Sequence, residues 1–210
     1  MRIVGGSLGG RVLRAPHGAA TRPTSEKVRE AIFNILGPVE GAYILDLFAG
    51  SGALGIEALS RGAAHVTFVD AGKPALTAIR GNLRELGLED RSTVLAMDAV
   101  AAAQRLPPAP PAPPAQHLQP APHLQPDQRL QPVQRLQPVL WAVVFIDPPY
   151  ASDLAQRAAL AVPATSLQPG ARIVIEHDRR GIPPETLGSL IRTDQRRYGD
   201  TMVSFFEVAA

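Results

Sequence analysis

Residues 143–150 read Val143-Val144-Phe145-Ile146-Asp147-Pro148-Pro149-Tyr150, an apolar run that ends in a carboxylate, two prolines and an aromatic ring. Consecutive apolar residues rich in Val and Ile indicate a parallel strand covered on both faces. The two prolines stop this strand and restrict the backbone of the turn that follows. Open parallel sheets bind ligands at the carboxyl ends of their strands, so the stretch predicts a pocket there. A carboxylate, an inward-facing carbonyl and a flat ring suit a planar base with an exocyclic amine.

A second junction of this kind lies upstream, where the predicted strand 43–48 runs into a glycine-rich turn and then a helix. A strand, a glycine-rich turn and a helix form half of a Rossmann-type unit. The spacing Gly50-x-Gly52-x-x-Gly55 fits NAD, FAD and S-adenosylmethionine sites alike. Asp46 favours the last of these, because a carboxylate can pair with the ammonium of the methionine part and would repel a pyrophosphate.

Carboxylates stand at the ends of four successive predicted strands, namely Asp46, Asp70, Asp98 and Asp147. Asp70 follows Gly50 by 20 residues, close to the spacing at which such folds hold ribose hydroxyls. Asp98, at the end of the next strand, is placed to contact an adenine edge. Any one of these carboxylates alone is more simply a strand-end or helix-cap residue, but four in succession favour a cofactor site.

The other elements predict a single α/β domain with an N-terminal arm. Residues 2–14 alternate apolar residues with basic or small ones, a pattern typical of a hairpin. A helix then begins at Thr24 or Ser25, the candidate caps, and ends at Gly37-Pro38. Together with the strands at 43–48 and before Asp147, strands at 66–70, 92–97, 171–176, 191–198 and 202–208 make seven. They predict a mostly parallel sheet with an antiparallel last strand.

Residues 107–139 differ in composition from the rest of the chain. A run of Pro and Ala gives way to a six-residue repeat, from His117-Leu118-Gln119-Pro120 to Arg135-Leu136-Gln137-Pro138. Such frequent prolines exclude a helix or a central strand and predict polyproline II structure or disorder. Because the segment precedes the strand that ends at Asp147, we expect it to leave from the sheet edge opposite the pocket. It is either a neutral linker or a docking segment.

The composition predicts an intracellular protein that contacts nucleic acid. The chain has no cysteine, which excludes disulfides and thiolate chemistry, and its five histidines show no metal-ligand spacing. No segment is apolar and long enough for a signal peptide or a membrane span. All but Lys27 and Lys73 of the 21 basic residues are Arg, and no acidic residue precedes Glu26. A basic segment of this kind points to nucleic acid, or simply to a well-solvated surface.

The motifs resemble those of a known family. Asp147-Pro148-Pro149-Tyr150 is similar to the catalytic motif of methyltransferases that act on exocyclic amines of nucleic-acid bases. The wider set resembles the bacterial RsmD family, which methylates N2 of a guanine in small-subunit ribosomal RNA. That set comprises Ile3-Val4-Gly5-Gly6, Gly9-Gly10-Arg11, Arg22-Pro23-Thr24, Val28-Arg29-Glu30-x-x-Phe33-Asn34 and Leu47-Phe48-Ala49-Gly50-Ser51-Gly52-Ala53-Leu54-Gly55 with the helix after it. Asp70 departs from the pattern, where the family usually has Glu, and the proline-rich repeat has no counterpart.

The resemblance implies a Rossmann-like class I methyltransferase that uses S-adenosylmethionine and no metal. It implies 16S rRNA as partner, alone or in a small-subunit assembly particle, and a cytoplasmic monomer that does not contact membranes. We expect residues 1–40 to form an RNA-binding extension and residues 41–210 the methyltransferase domain, interrupted by 107–139. The catalytic residues would be Asp147, Pro148, Pro149 and Tyr150; the cofactor-binding residues Asp46, Phe48, Ala49, Gly50, Ser51, Gly52, Asp70 and Asp98; the RNA-binding residues Arg11, Arg14, Arg22 and Arg29.

Two other functions share part of this pattern. A DNA adenine-N6 methyltransferase would use the same Asp-Pro-Pro-Tyr chemistry, although no remaining segment is long enough for a DNA-reading domain. An inactive cofactor-binding protein could instead present the proline-rich repeat to a partner. The complete set of aspartates and Tyr150 favours an active enzyme.

Overall fold

The structure is a computed structural model that describes residues 1–16, 25–105, 139–149 and 153–209. Its helices are α1 (Glu26–Leu36), α2 (Ala53–Ser60), α3 (Lys73–Leu86), α4 (Ala99–Arg105) and α5 (Leu154–Ala161). Its strands are β1 (Tyr43–Leu47), β2 (His65–Asp70), β3 (Ser92–Ala96), β4 (Trp141–Ile146), β5 (Leu167–Asp178), β6 (Thr186–Leu187), β7 (Leu190–Tyr198) and β8 (Thr201–Val208).

The strands form one sheet in the order β3-β2-β1-β4-β5-β8-β7-β6. The pairs among β3, β2, β1, β4 and β5 are parallel, and β8 runs antiparallel between β5 and β7. The predicted α/β sheet with an antiparallel last strand is confirmed. The predicted strand number is wrong by one, because β6 pairs with β7 over two residues only and is too short to show a pattern.

Strand β5 also starts earlier than predicted. It begins at Leu167 rather than at residue 171, so Gln168, Pro169 and Gly170 also lie inside the strand. Trp141 pairs with Leu167 whereas Val143 pairs with Arg172, which shows that the pairing register shifts between them. An irregular pairing with extra residues on one strand is how a sheet accommodates a proline and a glycine at positive φ, here +74°.

Two apolar layers cover the sheet. On one face, the N-terminal arm, α1, α2 and α3 pack with Phe145, Val174 and Phe205 in one core. On the other, α4 and α5 pack with Trp141 and Phe206. Residues of the predicted extension 1–40 therefore share the core of the sheet, and the part of them that the structure describes has no separate core.

The N-terminal arm, residues 1–16, is a short hairpin as predicted. Arg2 and Val12 form an antiparallel bridge, and Ile3 N donates to the Arg11 carbonyl at 2.9 Å. A 3-10 turn closes the hairpin at Gly6–Leu8. Ile3 and Leu13 are almost fully buried, so two apolar side chains anchor the arm against the helices below it.

Helix α1 begins where the sequence predicts. The hydroxyl of Ser25 accepts a hydrogen bond from Val28 N at 3.2 Å, and the helix ends at Gly37, whose φ is +73°. Ser25 is therefore the cap, whereas Thr24, the other candidate, lies outside the described residues.

Residues 107–138 of the proline-rich segment lie outside the described residues, as does Leu106 before it. Val139, which we counted as its last residue, packs against the core formed with α4 and α5. Strand β4 starts at Trp141, at the sheet edge opposite Asp147. This is the edge at which we expected the proline-rich segment to meet the sheet. None of the helices in the described ranges is long and apolar enough to cross a membrane.

Candidate active site

The predicted carboxylates lie along one edge of the sheet. Strands β3, β2, β1 and β4 are neighbours and parallel, so their carboxyl ends meet at the same edge. A predicted site residue lies within two residues of the end of each of these four strands: Asp46 in β1, Asp70 in β2, Asp98 after β3 and Asp147 after β4. The topology therefore brings together the side chains that the sequence singled out.

The turn after β1 is a strained and compact backbone segment. Phe48 has φ +60°, which is uncommon for a residue other than glycine, and Gly50 and Gly52 have φ +58° and +78°. Gly52 N donates to the Ala49 carbonyl at 2.7 Å, and Gly52 is also the N-cap of α2. A turn of this shape exposes backbone rather than side chains at the sheet edge, which suits close approach of a ligand.

The third glycine of the motif has a packing role. A Cβ at Gly55 would lie 2.3 Å from Phe68 Cε1 and 2.7 Å from Val66 Cγ1, both on β2. Only glycine lets α2 lie this close to the sheet. Gly55 thus fixes the position of the helix behind the turn, while Gly50 and Gly52 shape the turn itself.

Asp46 is buried beneath this turn. Its side chain is 1% exposed, and its Oδ2 accepts a hydrogen bond from Gly55 N at 3.0 Å. Burial raises the pKa of Asp46 to about 7, and the negative charge of Asp70 adds to the rise, whereas the bond from Gly55 opposes it. The carboxyl therefore changes charge near neutral pH, and a cation bound beside it would favour the ionised form.

We expect a ligand that carries an ammonium group, such as S-adenosylhomocysteine, to bind beside Asp46 with an affinity that falls as the pH drops below 7. If only ionised Asp46 pairs with the ammonium, Kd rises about tenfold per pH unit below the pKa. Folding stability moves the other way, because the raised pKa contributes stability that is fully present below the ordinary pKa of 3.8 and is lost as the pH rises through about 7. Titration calorimetry between pH 5.5 and 7.5 measures the first effect. An Asp46→Asn variant should give a flat profile, and a pH-independent Kd in the unmodified protein would contradict the expectation.

The side chain of Asp70 forms hydrogen bonds to the turn after β1 and to the turn after β2. Its Oδ2 accepts from Gly50 N at 2.9 Å and its Oδ1 from Gly72 N at 2.7 Å. Each carboxylate oxygen has a second lone pair, so both can still accept from neighbouring hydroxyls. Asp98 is exposed, and its Oδ1 accepts from Ala101 N at 2.9 Å, which makes it the cap of α4. Both aspartates thus have structural roles, as the simpler interpretation predicts.

The Asp-Pro-Pro motif follows β4 directly. Asp147 is half-buried, Pro148 is buried and Pro149 is exposed, while Tyr150 lies outside the described residues. Ile146 pairs with Ile175 of β5, so Glu176 occupies the next position on the strand beside Asp147. Glu176 is 3% exposed. This second carboxylate was not predicted from the sequence, because only strand pairing shows that it stands next to the motif.

The basic residues of the N-terminal arm differ in position. Arg11 and Arg14 are exposed, and Arg14 Nη2 lies 2.9 Å from Glu85 Oε2 at the surface. Arg22 lies outside the described residues. The backbone of Arg14 is tied to α3 beside the glycine turn, so this end of the arm is close to the candidate site.

The position of Arg29 contradicts the predicted role of this residue in RNA binding. Its side chain is fully buried, its Nε lies 3.9 Å from Glu57 Oε2, and its Nη2 donates to the carbonyl of Arg2. Burial lowers the pKa of Arg29, and the charges of Glu57, Glu26 and Glu176 oppose that change. A guanidinium enclosed in this way holds the arm against α2 and cannot reach a phosphate. The prediction failed because the basic residue lies on the buried face of α1.

Two further polar residues are buried near the site. Glu57 on α2 accepts from Val4 N and Gly5 N, both at 2.7 Å, and from Arg61 Nε at 2.9 Å. Asn82 on α3 is 2% exposed and bonds to the backbones of Arg14 and Ser51. One signal could have revealed Asn82: it lies in the apolar stripe of α3, three residues after Ile79.

No metal centre is found in the part of the chain that the structure describes, where no three His, Asp or Glu residues are grouped closely enough to hold an ion. His177 is buried and bonds through Nε2 to Ser204 Oγ at 2.9 Å, and burial lowers its pKa. His65 is also buried and contacts Thr93 Oγ1 at 2.9 Å. The other three histidines, His17, His117 and His123, lie outside the described residues.

Comparison with known proteins gives a consistent result. A family described as "Conserved hypothetical protein 95" matches residues 1–113 and 116–207. The chain is 38% identical over 213 residues to "Putative rRNA methyltransferase YlbH" of Bacillus subtilis, covering 99% of this chain and 98% of that protein. It is 32% identical over 189 residues to "Ribosomal RNA small subunit methyltransferase D" of Haemophilus influenzae, covering 88% and 83%.

Solved structures share this fold. The structure described as "Putative methyltransferase yhhF from Escherichia coli" superposes with a TM-score of 0.73 at 27% identity, covering 100% of this chain and 98% of that one. The structure described as "putative methylase HI0767 from Haemophilus influenzae" gives a TM-score of 0.69 at 26% identity, covering 100% of this chain and 98% of that one.

Proposed function

The chain belongs to the family of ribosomal RNA small subunit methyltransferase D, and from this membership we propose that it transfers the methyl group of S-adenosylmethionine to the N2 amine of a guanine in small-subunit rRNA. One observation carries the proposal. Leu47 of β1 pairs with Ile146 of β4, so the glycine turn and the Asp147 motif start at adjacent positions of neighbouring parallel strands. A cofactor held by the turn and a base held by the motif would therefore lie side by side.

The residues around the turn fit the cofactor. A Cβ at Gly50 would meet no atom nearer than Phe48 O at 3.9 Å, so a ligand can approach the backbone there. Asp46 would pair with the ammonium, the remaining lone pairs of Asp70 would accept from the ribose hydroxyls, and Asp98 would contact the adenine edge. Phe48, Ala49, Ser51 and Gly52 would complete the wall of the site. When bound, S-adenosylmethionine supplies a strongly activated methyl group.

The Asp147 motif would orient the attacking amine. The lone pair of an aryl amine is delocalised into the ring, so alignment of the nitrogen is the main task. The Asp147 carboxylate and the Pro148 carbonyl can accept the two amine hydrogens, which directs the lone pair outward and stabilises the developing positive charge. Asp147 or water then takes the proton that the methylated nitrogen loses. Tyr150, which is outside the described residues, would stack on a base that has left its helical stack.

Transfer of labelled methyl groups tests this function. The protein is incubated with labelled S-adenosylmethionine and either naked 16S rRNA, isolated small subunits or DNA, and the modified nucleoside is then identified. We expect N2-methylguanosine in one or both RNA samples. We also propose that the enzyme is a monomer that acts in the cytoplasm. Label on DNA adenine would favour the alternative methyltransferase, and the absence of label from every substrate would contradict an active enzyme.

We also propose that Arg11 and Arg14 bind phosphates of the RNA. Each phosphate contact on single-stranded RNA contributes about 0.7 to the slope of log affinity against log salt, so replacing both residues by Ala should reduce that slope by about 1.4. The ion pair between Arg14 and Glu85 is exposed and therefore weak, so Glu85 competes little with a phosphate for Arg14. Arg105→Ala, at the exposed end of α4, is the matched control and should leave the slope unchanged. Equal slopes for all three proteins would contradict the assignment.

A further inference from the structure

One buried side chain connects the N-terminal arm to the glycine turn. Asn82 Nδ2 donates to the Arg14 carbonyl at 3.1 Å and to the Ser51 carbonyl at 3.0 Å, and its Oδ1 accepts from Arg14 N at 2.9 Å. The residue is 2% exposed and lies among the apolar residues of α3. A buried polar side chain destabilises the folded protein unless its hydrogen bonds are satisfied, and Asn82 makes three.

The other end of the arm reaches the same turn. The hydroxyl of Ser51 lies 3.4 Å from Met1 Sδ, and Leu13 N donates to the Met1 carbonyl at 2.9 Å. Both ends of the hairpin therefore meet at Ser51, whereas its tip contacts Ser60 at the far end of α2. The part of the arm that carries Arg14 is held next to the turn, and Asn82 supplies the direct link between their backbones.

We propose that Asn82 is a positioning residue that couples RNA binding by the arm to cofactor binding by the turn, an inference that rests on the proposed function. The amide can donate to both carbonyls only while the arm and the turn keep their present separation. A shift of Arg14 on binding phosphate, or of Ser51 on binding cofactor, changes the bonds to the other partner. By thermodynamic linkage each ligand then alters the affinity of the other by the same factor.

The coupling can be measured as a ratio of dissociation constants. The Kd of S-adenosylhomocysteine is determined by calorimetry without RNA and with a saturating 16S rRNA transcript. We expect RNA to tighten cofactor binding about fivefold or more in the unmodified protein, the lower end of usual coupling factors. Asn82→Asp keeps the shape and the bond from Arg14 N but cannot donate as a carboxylate, so its ratio should fall to about one.

A matched control separates this role from general stability. Thr77 is exposed on the same helix, and its hydroxyl bonds to the Lys73 carbonyl within that helix. Thr77→Ala should keep the ratio of the unmodified protein. A ratio of one in the unmodified protein, or a full ratio in folded Asn82→Asp, would overturn the proposal.

A second measurement needs no variant and no RNA. Binding of S-adenosylhomocysteine should slow amide hydrogen exchange at Leu13 and Arg14, because these amides bond to Met1 and Asn82. Unchanged exchange at both amides on binding would overturn the link. This result is independent of methyl transfer, so a protein that methylates no RNA would refute the proposed function and still report on the connection between the turn and the arm.

Discussion

Replacing Asp147 by Ala should lower kcat for methyl transfer to RNA about 100- to 1,000-fold, the usual effect of losing one group that stabilises charge in a transition state. The carboxylate would accept an amine hydrogen and face the positive charge that develops on nitrogen, and alanine offers neither interaction. The residue follows β4 at a half-buried position, so its loss should leave the sheet intact. Single-turnover kinetics with labelled cofactor measures the rate of the chemical step directly.

The affinity for S-adenosylhomocysteine provides the control for Asp147. It should change less than about twofold in Asp147→Ala, because the cofactor would be held by the turn after β1 and not by the motif after β4. Asp147→Asn keeps the shape and one acceptor oxygen but loses the charge, so we expect an intermediate rate. An Asp147→Ala enzyme with an unchanged kcat would remove this residue from the mechanism.

Replacing Glu57 by Ala should lower the free energy of unfolding by about 3–5 kcal/mol, the range measured when one partner of a buried ion pair is removed. Glu57 and Arg29 are both fully buried, and their charged groups are 3.9 Å apart. The substitution also removes the acceptor for Val4 N and Gly5 N. We therefore expect α2 to hold the arm less firmly, with a loss of RNA affinity in addition to the loss of stability.

A double-mutant cycle isolates the pair. Denaturant unfolding of Glu57→Ala, of Arg29→Ala and of the double variant should show that the double change costs less than the sum of the single changes, because the double variant does not leave the Arg29 charge buried without Glu57. The exposed pair between Arg84 and Glu89 is the control, and Arg84→Ala should change the unfolding free energy by less than about 1 kcal/mol. Additive effects at Glu57 and Arg29 would show that the pair does not act as a unit.

Much of the fold can be predicted from local sequence. The apolar run before Asp147 predicts a buried central strand, and every residue of β4 is buried. Ser25 predicts the start of α1, and the glycine turn predicts the junction of β1 and α2. These predictions succeed because hydrophobic periodicity, caps and turns depend on residues close together in the chain. β6 and the early start of β5 were missed, since both depend on pairing with distant strands.

The candidate site likewise contains residues that local sequence predicts and residues that it does not. The positions of Asp46, Asp70, Asp98 and Asp147 follow from their place at strand ends, because parallel strands must present those ends at one edge. Local sequence cannot show that Glu176 stands beside Asp147, since β4 and β5 are brought together only by pairing.

The class of fold, the glycine turn and the row of carboxylates that would bind cofactor and base could all be predicted from the amino-acid sequence. Which charged and polar residues are buried became clear only from the folded chain. Arg29 was predicted to face RNA, yet it lies against Glu57, 28 residues away in the chain, and Asn82 joins Arg14 to Ser51 across 68 and 31 residues. A polar side chain is stable in a core only where hydrogen-bond or charged partners from distant segments satisfy it, and those partners come together only when the segments pack. For residues 143–150, the residue types predict the chemistry, whereas the buried carboxylate of Glu176 beside Asp147 could be found only from the pairing of β4 with β5.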